Sequence, residues 1–213
     1  MQRTQLKLHA IIGEQRLVKL QSDIVIEFLG NNTSAKTVHF EPTFTCGRCV
    51  KTGVDSPTAK EFTENFRIAE NTAEKYNITV LYSGARTYAI TNKFCQAAGG
   101  SFCVTSNGFV TSCYEVFSIE DPRSQVFFYG HYDERNKEFK IYEDKLLNLN
   151  SRVVDNIDYC SDCFCKYHCA GDCLTRSTDG FRLNDINSHF RCEINQTLTK
   201  DQIIKLVCAE EIT

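Results

Sequence analysis

The sequence has no long apolar run. Nothing in its 213 residues approaches the roughly 18 apolar residues of a membrane span, and its opening, MQRTQLKLHAIIGEQ, lacks the continuous apolar core of a secretory signal. There is no basic block and no interleaved stripe of basic and aromatic residues. With 24 Lys and Arg against 27 Asp and Glu, the net charge is −3, and nucleic acid is not an indicated partner. Internal repeats and low-complexity linkers are also missing. These absences read as a soluble, cytoplasmic chain with no membrane partner.

Cysteine is the residue in excess, with twelve in the chain. Such density often marks a secreted disulfide framework. A chain of this length buries a core without needing disulfides, so the expectation here is reduced thiols available as metal ligands. Five of them, Cys160, Cys163, Cys165, Cys169 and Cys173, crowd into DYCSDCFCKYHCAGDCLTR, residues 158 to 176.

Two regions differ in pattern. Residues 1–85 alternate strand and helix signals. LKLHAII (6–12) alternates as a strand. SDIVIEFLGNN offers Ser22 or Asp23 as a helix cap and Gly30 as its stop. TVHFEP (37–42) is a second strand. Residues 58–76 place Phe62, Phe66, Ala69, Ala73 and Tyr76 on one helical stripe, and ITVLY (78–82) is a third strand. That order predicts parallel pairing through crossovers. Three strands cannot close a barrel of eight.

Residues 86–213 hold ten of the twelve cysteines. SFCVTSNGFVTSCYE reads as a hairpin around Asn107-Gly108, which would bring Cys103 and Cys113 onto adjacent strands. QVFFYGHYDERNKEFKIYE suggests further strands, EDKLLNLNSRVVDN a helix, and TLTKDQIIKLVCAEE a last helix capped by Thr199 with Ile203, Ile204, Val207 and Cys208 on one face. Cys208 is expected to be a small buried hydrophobe.

The spacing is Cys95-x12-Gly108-x4-Cys113 with Cys103 between, then Cys160-x2-Cys163-x5-Cys169-x3-Cys173, then Cys192. Without Cys165, these are eight thiols, enough for two four-ligand sites of zinc or iron-sulfur type. This arrangement resembles the SPASM domain of radical SAM peptide and protein maturases, which holds two auxiliary 4Fe-4S clusters. The resemblance implies that Cys95, Cys103, Cys113 and Cys173 bind one cluster and Cys160, Cys163, Cys169 and Cys192 the other, with zinc as a possible substitute. It also implies an α/β fold class, with residues 1–85 as the C-terminal half of a partial (β/α) barrel and residues 86–213 as a small α+β SPASM domain.

The family's C-x3-C-x2-C motif, which holds the cluster that cleaves S-adenosylmethionine, does not occur here. The chain therefore looks like the C-terminal portion of such an enzyme, inactive alone, with a peptide or protein substrate and a missing N-terminal half or separate catalytic chain as partners. S-adenosylmethionine would bind only in the full-length enzyme. There, Glu41, Tyr82, Ser83 and Arg86 at strand ends would lie near the barrel mouth as cofactor contacts, although ordinary turn and surface roles fit them as well. A stand-alone two-cluster electron carrier and a zinc-stapled interaction domain are the rival readings. Cys46 and Cys49 read as unligated loop thiols or a redox pair, Cys165 as a spare thiol, and His168 as a neighbour of a ligand rather than a ligand.

Overall fold

The computed structural model describes residues 7–12, 22–43, 56–177 and 189–210. They form a mixed α/β protein in two compact units, Met1–Thr87 with Phe190–Thr213, and Tyr88–His189. The division by compactness comes two residues after the boundary read from composition, and the last helix groups with the first sheet. Among the described residues no helix is long and apolar enough to cross a membrane.

The first unit contains strands β1 (Lys7–Ile12), β2 (Thr37–Pro42) and β3 (Thr79–Leu81), all parallel in the order β1-β2-β3. The helices Ser22–Asn32 and Ala59–Glu74 make the crossovers. Along β2 burial alternates: Val38 and Phe40 go into the core while Thr37, His39 and Glu41 stay on the half-open face. The helix Ala59–Glu74 begins at a capping box, in which Thr58 Oγ1 accepts from Glu61 N at 3.2 Å and Glu61 Oε2 accepts from Thr58 N at 2.9 Å. Its stripe of Phe62, Phe66, Ala69 and Ala73 is buried against Val38, Phe40, Val80 and Tyr82. Phe62 and Phe66 each pack against the Tyr82 ring, at centroid separations of 5.4 and 6.4 Å.

Gly30 does not stop its helix, as the sequence suggests. The helix runs on to Asn32, and its end is closed by Thr33, whose N–H and Oγ1 both donate to the Leu29 carbonyl at 3.0 and 2.7 Å. Glycine is needed at position 30 for space: a Cβ there would stand 2.3 Å from ring carbons of Tyr76. Gly30→Ala should therefore destabilise by about 1–3 kcal/mol through overpacking. In a Tyr76→Ala background the same change should become neutral or stabilising by up to about 1 kcal/mol, because alanine is the better helix former. Urea unfolding of the four proteins checks this, and an unchanged sign in the double variant would defeat the explanation.

The last helix, His189–Glu210, corrects two expectations. Thr199 does not cap it, because the preceding turns are already helical and place Ile194 and Leu198 in the first core, while Thr199 is itself fully buried. Cys208, expected to be buried on the apolar face, is exposed with Ile204 and Val207, while Ile203 is half-buried. Ion pairs Arg67–Asp201 at 2.8 Å and Glu70–Lys205 at 2.7 Å hold this helix to Ala59–Glu74.

The second unit is built on a four-stranded antiparallel sheet in the order β4-β5-β6-β7 (Cys103–Val104, Phe109–Thr111, Phe128–Asp133 and Glu138–Ile141). The Asn107-Gly108 turn closes the first hairpin, with Gly108 at φ +78 and its N–H donating to Thr105 O at 2.9 Å. A short helix, Ser124–Phe127, which carries no clear periodicity in the sequence, leads into β6. The helix Glu143–Asn150 follows β7, and its Leu149 joins Val110, Val116, Phe127, Phe128 and Tyr129 in a second core.

Candidate metal centre

Of the first set of thiols, Cys113 lies at the end of β5 and feels the charges of Cys95 and Cys173. Cys113 lies two residues past that strand and is buried, its backbone pinned by Thr111, whose Oγ1 accepts from Cys113 N at 3.3 Å and donates to Cys113 O at 3.1 Å. Burial pushes the Cys113 thiol up to about 11, and the charges of Glu115, Cys173 and Cys95 add to that rise. Cys173 reaches the same place from a different segment: its Sγ is 3.2 Å from Thr175 Oγ1, which in turn donates to Glu115 Oε2 at 3.3 Å. Cys95, Cys113 and Cys173 are thus within electrostatic reach of one another. Arg123, held in a fork by Asp121 at 2.8 and 3.0 Å, also feels the charges of Glu115 and Cys113. It supplies a fixed positive charge within electrostatic reach of Cys113.

Cys103 stands differently from the expectation that the hairpin faces it toward Cys113. Its partner across the ladder is Thr111, because β5 ends before Cys113. The side chain it influences is Tyr129, whose hydroxyl donates to Ser101 O at 2.7 Å and is raised in pKa by burial and by Cys103.

The second set lies on a chain that winds in successive tight turns. Cys163 N donates to Cys160 O at 3.1 Å, Lys166 N to Cys163 O at 3.2 Å, and Cys169 N to Cys165 O at 3.0 Å. Ala170, Gly171 and Asp172 then all take positive φ, at 51, 75 and 65 degrees, and this left-handed run separates Cys173 from the four thiols before it. Cys165, read as a spare, is only 1 % exposed and stands between two of the assigned ligands, with Sγ 3.5 Å from Cys163 Sγ. A hydrogen bond with Cys169, then burial and the Cys163 neighbour, strongly raise its pKa. Cys192 lies on the last helix, in the other unit. Among the described residues, no three Cys, His, Asp or Glu side chains are close enough together to hold a metal ion.

The remaining residues singled out from the sequence separate by environment. His168 Nδ1 donates to the Ala89 carbonyl at 3.2 Å. Cys208 is exposed rather than buried. Cys46 and Cys49 lie outside the described residues. At the strand ends of the first unit, Glu41 Oε1 accepts from Ser83 N at 2.9 Å, and its Oε2 stands 3.9 Å from Arg191 Nη1. The Tyr82 side chain turns into the core, 1 % exposed, where its hydroxyl donates to Asn195 Oδ1 at 2.9 Å and its ring stacks 5.4 Å from the Arg191 guanidinium carbon. Arg86 is half-buried. Four residues joined to these groups carry no motif in the sequence: Glu115, Arg123, Arg191 and Asn195. Only folding brings them there.

No protein-family model matches the chain, and no curated protein matches it either.

Proposed function

We propose that this chain is the C-terminal part of a radical SAM enzyme that modifies a ribosomally made peptide or protein, and that its cysteines hold two auxiliary 4Fe-4S clusters. The observation that carries the reading is that Cys95 and Cys173, from well-separated segments, are near enough to act electrostatically on Cys113, the three being assigned to one cluster. A cluster of this kind supplies electron transfer to or from the substrate, with a potential set by hydrogen bonds, charge and burial.

The chain's own residues would shape that site. Burial of Cys113 holds its thiol protonated in the metal-free state, so loading must release its proton. Arg123 would offset negative charge on the Cys113 thiolate, and the Thr175 hydroxyl, which now gives its proton to Glu115 and accepts from the Cys173 thiol, would have to turn that proton to the sulfur once Cys173 is a thiolate. In the first unit, Glu41 and Ser83 are tied together on the half-open face of the sheet, where the complete enzyme would bring S-adenosylmethionine. Tyr82, by contrast, serves the core and is not proposed as a cofactor contact.

Anaerobic reconstitution with iron and sulfide tests the proposal. Two clusters predict about eight irons per chain and broad absorption near 400 nm. Two tightly held zinc ions without a chromophore would replace the reading with the zinc-stapled domain.

A further inference from the structure

Cys163 and Cys165 stand in contact, although only Cys163 belongs to an assigned ligand set. Their sulfurs are 3.5 Å apart, with one thiol donating to the other, and neither is in a disulfide. The backbone holds them in place. The Cys163 carbonyl accepts from Lys166 N at 3.2 Å, and the Cys165 carbonyl accepts from His168 N and Cys169 N at 2.9 and 3.0 Å. Access to the two sulfurs differs. Cys163 is half-buried and Cys165 is 1 % exposed, so a reagent in solution meets Cys163 first. Cys165 belongs to neither apolar core, and its neighbours include the thiols of Cys163 and Cys169. Filling a core therefore does not account for its burial.

From this contact and the difference in access we propose that Cys163 and Cys165 are a redox pair, joined by a reversible disulfide in the metal-free chain and kept as thiols when Cys163 is a ligand. The oxidant is a low-molecular-weight disulfide, RSSR. Cys163, as the thiolate, attacks one sulfur of RSSR and displaces RS⁻, which leaves R bound to Cys163 through a mixed disulfide. Cys165, held as the thiol by its hydrogen bond with Cys169 and by burial, acts second: its sulfur attacks Cys163 Sγ and expels the remaining RS⁻. The protons of both cysteines end on the two departing thiols, and the electron pair that the cysteines lose reduces RSSR. Bond formation requires the sulfurs to close from 3.5 Å to about 2.05 Å. A bridge over one intervening residue closes a small, strained ring, and strained disulfides are the easily reduced, regulatory ones. Oxidation would withhold Cys163 from metal, and reduction would release it. The pair itself rests on the two sulfurs, while its effect on loading rests on the proposed clusters.

The test uses the full chain, metal-free and reduced, to which glutathione disulfide is added. Remaining thiols are blocked with iodoacetamide before tryptic digestion and mass spectrometry. Cleavage after Arg152 and Lys166 isolates residues 153–166, which hold Cys160, Cys163 and Cys165. A Cys163–Cys165 link leaves that fragment lighter by the pair of hydrogens lost, with Cys160 alone blocked, whereas a link to Cys169 joins it to residues 167–176. The Cys163–Cys165 fragment should be the main oxidised product of this region, preceded by glutathione on Cys163, and dithiothreitol should restore both thiols. Cys165→Ser should stop at glutathione-bound Cys163, and Cys160→Ser should still link. The result on the unaltered chain does not depend on either variant folding. A main product linking Cys163 or Cys165 to Cys160 or Cys169 would overturn the proposal. So would glutathione that stays on Cys163 in the unaltered chain, or a pair that remains unoxidised. After anaerobic reconstitution the loaded chain should resist the link until its iron is chelated, and linking with the iron retained would overturn the protection by metal. Iron is counted on the same samples. A chain that takes up no iron yet links defeats the cluster reading alone, and one that takes up iron yet fails to link after chelation defeats the redox pair alone.

Discussion

Cys113→Ala is expected to lower reconstituted iron from about eight to about four per chain, since each four-thiolate cluster needs its full ligand set. The argument starts from burial. The Cys113 thiol has little access to solvent and is flanked by Cys95, Cys173 and Glu115. Removing one sulfur donor from such a pocket leaves no exposed thiol to replace it from the same segment. Cys173→Ala should give the same loss and should not add to it, because both belong to one set. Cys208→Ala should leave the iron count unchanged, as Cys208 is exposed on the last helix. Cys165→Ala is the informative comparison. It stands between Cys163 and Cys169, and if its removal costs as much iron as Cys163→Ala, the second ligand set has been assigned wrongly. Iron and sulfide analysis with absorption spectra of the unaltered chain, the five single variants and the Cys113/Cys173 double variant decides the matter. An unchanged count in Cys113→Ala would remove the basis of the proposed function.

Phe66→Ala is expected to destabilise the first unit by about 3–5 kcal/mol. Phe66 is fully buried and touches both Phe62 and Tyr82. The cavity left by its ring would lie between the helix Ala59–Glu74 and the sheet, where neither can collapse without breaking parallel strand pairing. Phe28 is a control of the same residue type, 62 % exposed on the helix Ser22–Asn32, and Phe28→Ala should change stability by less than about 0.5 kcal/mol. Urea unfolding of the two variants checks the contrast. A loss below about 1 kcal/mol for Phe66→Ala would mean that this packing does not support the unit.

Much of the first unit was legible because local signals agreed. The Phe62, Phe66, Ala69 and Ala73 stripe and the Thr58/Glu61 box act over a few residues, so helix, face and start all follow from composition and spacing. Alternation in TVHFEP likewise yields the strand and its buried face. Gly30 shows where that reasoning fails: the same glycine that could end a helix can admit a neighbouring ring, and Tyr76 decides between them from another element. Thr199 fails for a similar reason, because a cap motif inside a longer helix is overruled when Ile194 and Leu198 find a core to enter.

Cysteine spacing gave eight thiols, enough for two four-ligand sites, and the division into two sets is what the resemblance to the SPASM domain implies. Spacing could not set which sulfurs meet. The approach of Cys173 to Cys113 runs through Thr175 and Glu115, and the position of Cys165 among its neighbours follows from tight turns and a left-handed run at Ala170, Gly171 and Asp172. Arg152 carries no pattern in the sequence at all. That its Nε and Nη1 are buried without a hydrogen-bond partner among the described residues belongs to the folded chain and not to any residue in it.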